Sequence, residues 1–212
     1  AMYRKAVRFG AVVALVASIG VLVSGDVQGK VMTEVQPMKM AAAEGLYETR
    51  ANAPFSILTI GSLDGTNAKP ILEVPGLLSF LGTGSFTAEI QGINDIQAAE
   101  TAKYAANPLT ASTSYVPVIW MTYWNFRLMM GAGFLTMLFA AMALWKTRGQ
   151  GVVTSSMWKH IAIWTPLLPV LANSFGWIFT EVGRQPWIVN GLMTTQTGVS
   201  TTVDAASVWI SM

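Results

Sequence analysis

Residues 116–145, VPVIWMTYWNFRLMMGAGFLTMLFAAMALW, decide the class of this protein, because these thirty residues carry a single charge, on Arg127. The hydrocarbon core of a bilayer requires about 20 apolar residues of helix. Two other stretches are long and apolar enough to approach that length, 9–25 and 161–181, and the second ends on Glu181. The sequence therefore predicts three membrane-spanning helices.

The composition agrees with this class. Of the 212 residues, 52% are hydrophobic and 11% are charged, and the mean hydropathy is +0.47. A soluble domain carries about 25% charged residues, so a soluble globular enzyme and a disordered chain are both excluded. The net charge of +2 gives no reason to expect a nucleic-acid partner. With no cysteine, this chain supplies no disulfide, thiolate metal site or thiol nucleophile. The predicted fold class is an all-α membrane protein, a transmembrane helix bundle with a long extracytoplasmic loop.

The charges of the loops predict the orientation, because short cytoplasmic loops collect Lys and Arg. The segments 1–8 and 146–160 contain only basic charges, whereas 26–115 contains nine acidic and five basic residues. The predicted order is a cytoplasmic stub 1–8, a span 9–25, an extracytoplasmic loop 26–115, a span 116–145, a cytoplasmic connector 146–160, a span 161–181, an outer loop 182–203 and the start of a further span 204–212.

The two ends of the chain suggest a piece of a longer subunit. The first residue is Ala1, and 204–212 is too short to cross a bilayer. The span 9–25 has a competing interpretation as a secretory signal, since basic residues precede it. The sequence around Gly25 lacks a small-x-small cleavage pattern, which favours the span.

The outer loop is too long for a simple connector. Pro37 suits a first helical position, and 38–46 is predicted to be a short helix at the membrane surface. Short apolar runs follow at 55–60, 71–74 and 77–81, and 96–106 is predicted to be another helix.

Two residues of the central span have competing interpretations. Arg127 either faces the interior and holds an anion, such as a carboxylate or a propionate, or lies at the outer interface and extends its charge into water. Met129 is either packing filler, as methionine in a membrane helix usually is, or a thioether ligand of a haem iron.

The remaining candidates are also ambiguous on spacing alone. Glu181 shares a helix face with Trp177, and Arg184 follows one turn later. The Glu181 carboxylate either forms an exposed ion pair with Arg184 or is a metal ligand with a charge partner. Lys39 and Glu44 are about 140° apart on a helix, and they lie either on a solvated face or against a polar headgroup ligand. The only histidine, His160, is interpreted as an interfacial residue.

Four segments together resemble subunit I of cytochrome bd quinol oxidase. They are GDVQGK, MKMAAAEGLYET, YWNFRLMMGAGF and GWIFTEVGRQPW, in that order along the chain. The resemblance covers nearly the whole sequence, and the short outer loop looks like that of an actinobacterial member. It implies a fragment of a quinol:oxygen oxidoreductase that oxidises quinol outside and reduces oxygen to water, building a proton gradient.

The resemblance also implies roles for individual residues. Lys39 and Glu44 fall on positions used in quinol oxidation. Met129 matches the axial ligand of a low-spin haem b, and Arg127 matches the nearby arginine that supports that haem or a quinone anion. Glu181 matches a carboxylate ligand of a high-spin haem, in a site shared by a high-spin haem b and haem d. Trp177 and Arg184 match its neighbours.

The same resemblance implies partners that this sequence lacks. The histidine ligands of the family lie in further N-terminal spans, so the N-terminal part of the subunit, subunit II, small accessory subunits and membrane lipid are expected around this chain. Two other functions stay open on the residues alone. One is a non-enzymatic membrane sensor or scaffold, and the other is a transporter fragment in which Arg127 binds an anionic substrate.

Overall fold

A computed structural model describes residues 2–60, 69–106, 114–149, 155–200 and 202–211. Helices dominate these residues, as predicted. The elements, in chain order, are α1 (Met2–Val35), α2 (Pro37–Glu44), β1 (Arg50–Ala51), β2 (Phe55–Ile60), β3 (Lys69–Val74), α3 (Leu77–Thr83), β4 (Glu89–Ile90), α4 (Ile93–Tyr104), α5 (Ile119–Lys146), α6 (Ser156–Trp164), α7 (Leu167–Gly183), β5 (Trp187–Val189), β6 (Met193–Thr194) and α8 (Ala205–Ser211).

Within the described ranges, three helical segments are long and apolar enough to cross a membrane: Tyr3–Val35, Ile119–Lys146 and Ser156–Gly183. The third consists of α6 and α7, separated by a turn at Pro166, whose ring cannot continue the hydrogen bonding of a helix. The helices α5 and α7 form the most extensive contact, and α1 packs on α5. This arrangement confirms the helical membrane class.

The first helix is longer than the span predicted at 9–25. It continues through the polar residues after Gly25 as far as Val35, and Lys30 Nζ pairs with Asp26 Oδ2 one turn earlier at 2.6 Å. Its 34 residues correspond to roughly 50 Å of helix at 1.5 Å per residue. This exceeds a hydrocarbon core of roughly 30 Å, so α1 is longer than is needed to cross it.

The elements between α1 and α5, hereafter the outer layer after the side of the membrane predicted for them, form a small folded unit rather than an open loop. The predicted run 55–60 is β2, 71–74 lies in β3, and 77–81 lies in α3. The strand pairs β1–β4 and β2–β3 of this segment, and the pair β5–β6 that follows α7, are antiparallel two-stranded ribbons. Two apolar clusters hold this layer together, and α2 contributes to both of them, through Met38 in one and Met40 in the other.

Basic residues meet at the opposite end of the helices. Arg8 Nη1 donates to the carbonyl of Thr147 at 2.9 Å, which joins the start of α1 to the end of α5. Nearby, Lys146 Nζ lies 4.6 Å from the ring centroid of Trp158. The basic segments that the charge pattern assigned to one side of the membrane are therefore adjacent in the fold.

The spanning helices expose most of their apolar surface in this chain. Only 6%, 11% and 0% of the most apolar window of each span is buried. A large exposed apolar surface of this kind is normally covered by lipid or by partner helices. At the other end of the chain, α8 lies within the predicted start of a span at 204–212.

Candidate functional site

The short helix α2 holds Lys39 and Glu44, and it is buried. Pro37 begins the helix, and Gly45 ends it in the left-handed conformation at φ 62°, which glycine adopts without strain. Every residue of 38–44 is buried, because α2 packs against α1, α4, α5 and α7. The expectation of a solvated face for these two residues is therefore wrong.

The side chains of Lys39 and Glu44 point to different neighbours, as their angular separation predicted. Lys39 lies against α7, where its Nζ is 5.1 Å from the ring centroid of Phe179. A side chain at Gly183 would meet the stem of Lys39. Glu44 lies against α5, where its carboxylate contacts Arg127. The two residues therefore belong to two neighbouring sites.

The guanidinium of Arg127 is enclosed by protein groups. Its Nε donates to Ser56 O at 3.0 Å, Nη1 donates to Ala43 O at 2.6 Å and to Tyr123 O at 3.3 Å, and Nη2 donates to Glu44 Oε2 at 3.0 Å and also to Ser56 O. The ring of Tyr123 packs at 3.4 Å from the guanidinium carbon. The structure thus supports the interior interpretation of Arg127, and the anion it holds is a protein carboxylate.

The environment of Glu44 makes its carboxyl group titrate near neutrality. Burial raises its pKa from 4.5 to about 7, although the charge and hydrogen bond of Arg127 oppose that rise. An ion pair removed from water is strongly destabilised when one partner is lost, because the other charge stays buried. The Glu44–Arg127 pair therefore links α2 to α5. The Glu44 carboxylate is also a group that can accept a proton near neutral pH.

The sulfur of Met129 lies at the contact between α5 and α7. A Cβ atom built on Gly176 would stand 2.8 Å from Met129 Sδ, closer than the two atoms could approach without displacement. Gly176 therefore provides the space in which the thioether packs. Met129 itself is half-buried.

On α7, Glu181 forms the ion pair that its spacing suggested. Arg184 Nη2 donates to Glu181 Oε2, and the two side chains remain 40% and 34% exposed. Trp177, one turn before Glu181, is 68% exposed. This face of α7 therefore presents a carboxylate and an indole that the described part of the chain does not cover.

A cleft of about 90 Å³ lies beside Lys39, between the ends of α1 and α7. Apolar and aromatic side chains form part of its wall, and its polar lining residues include Lys39, Glu100, Arg184 and Gln185. Burial and the nearby charge of Arg184 lower the pKa of Lys39. Asn190 Nδ2 donates to Val35 O at 3.2 Å and ties the β5–β6 turn to the end of α1.

Sequence reasoning missed two residues of this cleft. Glu100 lies on α4, in a helix with no motif, and no sequence signal distinguishes it from an exposed acid. Trp187 belongs to the quoted GRQPW segment but received no role. Its ring stacks on Tyr115, with centroids 5.4 Å apart.

The candidate ligands do not form a self-contained metal site. No group of three or more His, Cys, Asp or Glu side chains that could hold a metal ion occurs among the residues that the structure describes. His160 is exposed, and its Nδ1 lies 2.8 Å from Ser156 O at the basic end of the bundle.

Comparisons with known proteins agree with the resemblance. Cytochrome bd ubiquinol oxidase subunit 1 of Bacillus subtilis is 37% identical over 212 residues, covering 99% of this chain and 44% of that protein. Cytochrome bd-II ubiquinol oxidase subunit 1 of Escherichia coli is 28% identical, covering 88% of this chain and 46% of that protein. The chain therefore spans less than half the length of these relatives.

A solved structure shares the fold. The bd oxidase from Geobacillus thermodenitrificans superimposes with a TM-score of 0.77 and 28% sequence identity, covering 98% of this chain and 44% of that chain. The sequence model of the cytochrome bd terminal oxidase subunit I family matches residues 1–212, the full sequence given. The chain therefore belongs to the cytochrome bd terminal oxidase subunit I family.

Proposed function

We propose that this chain is the part of a bacterial terminal oxidase that accepts electrons from quinol at the outer face of the membrane and contributes ligands to haem groups that reduce oxygen to water. The observation that carries the proposal is the burial of Lys39 and Glu44 in α2, directly against α5 and α7. These two helices bear Met129 and Glu181, so the groups assigned to quinol and the groups assigned to haem share one packed unit.

Met129 and Glu181 would each supply one ligand to a haem iron. The thioether of Met129 is suited to a low-spin haem b, and the carboxylate of Glu181 to a high-spin haem in the site of haem b and haem d. When bound, these groups supply electron transfer and oxygen reduction. Trp177 and Arg184 flank Glu181, where the indole would offer an aromatic contact to a bound haem and the guanidinium would balance negative charge.

We propose a revised role for Arg127. The resemblance assigned it to a haem or a quinone anion, but its donors already contact Glu44 and backbone carbonyls. In the proposed function it positions the Glu44 carboxylate and keeps the pKa of that carboxyl from rising further. Glu44 then accepts a proton during quinol oxidation, and Lys39 orients the substrate from the neighbouring cleft.

The topology gives the reaction a direction. We propose that α2 and the cleft lie outside, because basic residues such as those at the Arg8–Thr147 end favour a cytoplasmic position for that end. Protons from quinol are released there, while protons for water formation are taken from the inside. This separation builds a proton gradient.

The exposed apolar helices require neighbours in the membrane. We propose that the N-terminal part of the same subunit supplies the missing histidine ligands, and that subunit II, small accessory subunits and lipid cover the remaining faces. No observation favours the sensor or scaffold alternative. The transporter alternative needs Arg127 to bind a substrate anion, and Glu44 occupies that position.

The proposed function is tested by the reduced-minus-oxidised absorbance spectrum of the full-length oxidase complex carrying Met129→Leu. We expect the low-spin haem b signal to be lost while the high-spin signals stay. Met137→Leu, two turns further along α5, is the matched control and should leave the spectrum unchanged. An unaltered low-spin signal in Met129→Leu would contradict the ligand assignment, and a wild-type complex without haem bands would contradict the oxidase function.

A further inference from the structure

The cleft beside Lys39 contains three buried polar atoms that have no hydrogen-bond partner among the described residues: Glu100 Oε2, Arg184 Nε and Trp187 Nε1. Trp187 is only 7% exposed. Leaving such groups unpaired in a folded protein costs about 1–3 kcal/mol each. Because all three residues line one cleft, a ligand with complementary hydrogen-bonding groups would satisfy them together.

The three atoms demand a ligand that both donates and accepts. Trp187 Nε1 and Arg184 Nε are donors, whereas Glu100 Oε2 is a carboxylate oxygen that accepts. The indole lies close enough to influence the Glu100 carboxyl, but the two groups do not reach hydrogen-bonding geometry. An anion such as phosphate would satisfy the donors but would place its oxygens against Glu100. A neutral hydroxyl satisfies both sides, since it donates to the carboxylate and accepts from the indole.

The walls of the cleft are suited to the edge of an aromatic ring. Tyr115 and Trp187 stack on each other with an interplanar angle of 17°, and Val35, Pro37 and Ile188 add apolar surface. A closed cavity of about 150 Å³ accommodates benzene. This cleft of about 90 Å³ therefore receives the hydroxyl-bearing edge of a ring and leaves the remainder of the ring outside.

We propose that Glu100 and Trp187 bind one ring hydroxyl of the quinol, with Glu100 Oε2 accepting its hydrogen bond and Trp187 Nε1 donating to its oxygen. This inference rests on the proposed function and makes it more specific, because it places the headgroup in the cleft of Lys39. Glu44 lies outside that cleft and faces Arg127. Glu100 accordingly binds the hydroxyl directly, and Glu44 remains the proton acceptor of the proposed function.

Variants of the full-length oxidase complex test the proposal, with a short-chain ubiquinol as the probe. Trp187→Phe keeps the ring and removes the donor, and we expect about a tenfold higher KM, which corresponds to about 1.4 kcal/mol, with kcat little changed. Glu100→Ala should raise KM to a similar extent. Glu100→Gln should restore most of the affinity, because the amide oxygen also accepts a hydrogen bond.

The matched control is Glu48→Ala, since Glu48 is exposed in the same outer layer. Equilibrium dialysis of the fully reduced complex without oxygen measures Kd apart from turnover, and the Kd values should follow the KM values. If Trp187→Phe lowers the Tm of the complex, its KM no longer reports binding alone. The KM and Kd of Glu100→Ala and Glu100→Gln then test the proposed hydrogen bond. If the wild-type enzyme is active and Glu100→Ala changes neither KM nor Kd, this inference alone is overturned. Wild-type enzyme without quinol oxidation would overturn the proposed function itself.

Discussion

Arg127 is the residue on which the packing of the outer segment depends most directly. Its guanidinium joins α5 to Glu44 of α2 and to the backbone of β2 at Ser56. Each of these contacts is buried, so water cannot replace a lost partner. A single side chain therefore connects a membrane-spanning helix with two elements of the outer layer.

We expect Arg127→Gln to lower the free energy of unfolding by about 3–5 kcal/mol, because it leaves the Glu44 carboxyl buried without its cation. The Tm of the full-length complex measures this effect. Arg50→Gln, which changes an exposed arginine of β1, is the control and should leave Tm nearly unchanged. The double variant Glu44→Gln/Arg127→Gln should recover part of the loss. Equal Tm values for the two single arginine variants would contradict the importance of the pair.

Gly176 gives a second prediction at the scale of one residue. In Gly176→Ala the new Cβ would approach Met129 Sδ to 2.8 Å, so the sulfur must move away. We expect a shifted or weakened low-spin haem signal in the absorbance spectrum of the full-length complex. Gly133→Ala on α5, where a Cβ would meet no atom within 4 Å, should leave the spectrum unchanged. Identical spectra for both variants would show that the thioether position is not critical.

At the scale of secondary-structure elements, the start of α4 is held by the loop that follows α2. Ile93 N donates to Leu46 O at 2.9 Å, and Asn94 N donates to Tyr47 O at 3.1 Å. These bonds satisfy N–H groups that a helix start otherwise leaves unpaired. They fix α4, and with it Glu100, relative to α2.

Gly92 makes this close approach possible. A Cβ atom on Gly92 would lie 2.3 Å from the backbone carbon of Glu48, and backbone cannot move aside as a flexible side chain does. We expect Gly92→Ala to loosen the outer segment, which limited proteolysis of the full-length complex would detect as faster cleavage between α2 and α5. Gly10→Ala on α1, where space is open, is the control. Equal cleavage rates in the two variants would contradict the prediction.

The sequence predicted the positions of the helices more accurately than it predicted which residues surround them. The apolar length of 116–145 and the proline at 37 were sufficient to locate α5 and α2. The burial of α2 could not be predicted, because the residues of PMKMAAAE do not show that α1, α4, α5 and α7 converge on it. For the same reason, the pairing of Glu44 with Arg127 across 83 positions and the position of Glu100 in the cleft became visible only in three dimensions.

At the scale of the whole molecule, both the charge pattern and the fold show two ends that differ in charge. The basic stub and connector meet through Arg8 and Thr147, and the mixed-charge layer occupies the other end. The chain has no cysteine, so a single introduced thiol reports its location without background from this chain.

We expect Ser85→Cys to be labelled by a membrane-impermeant maleimide on intact cells, because Ser85 is exposed in the outer layer. Ser155→Cys, exposed just before α6, should be labelled only after the cells are lysed. The unsubstituted chain is the control and should remain unlabelled. The reverse pattern would show that the orientation predicted from the loop charges is wrong.

The continuous course of α1 has a geometric consequence for the outer segment. A single residue, Gln36, separates its end from α2, so the length of α1 sets both the axial position and the rotation of α2 relative to the other helices. One inserted residue within α1 would raise α2 by about 1.5 Å and turn it by about 100°. Such a turn would direct Lys39 and Glu44 away from the partners they now contact, so the length of α1 determines how α2 meets α5 and α7.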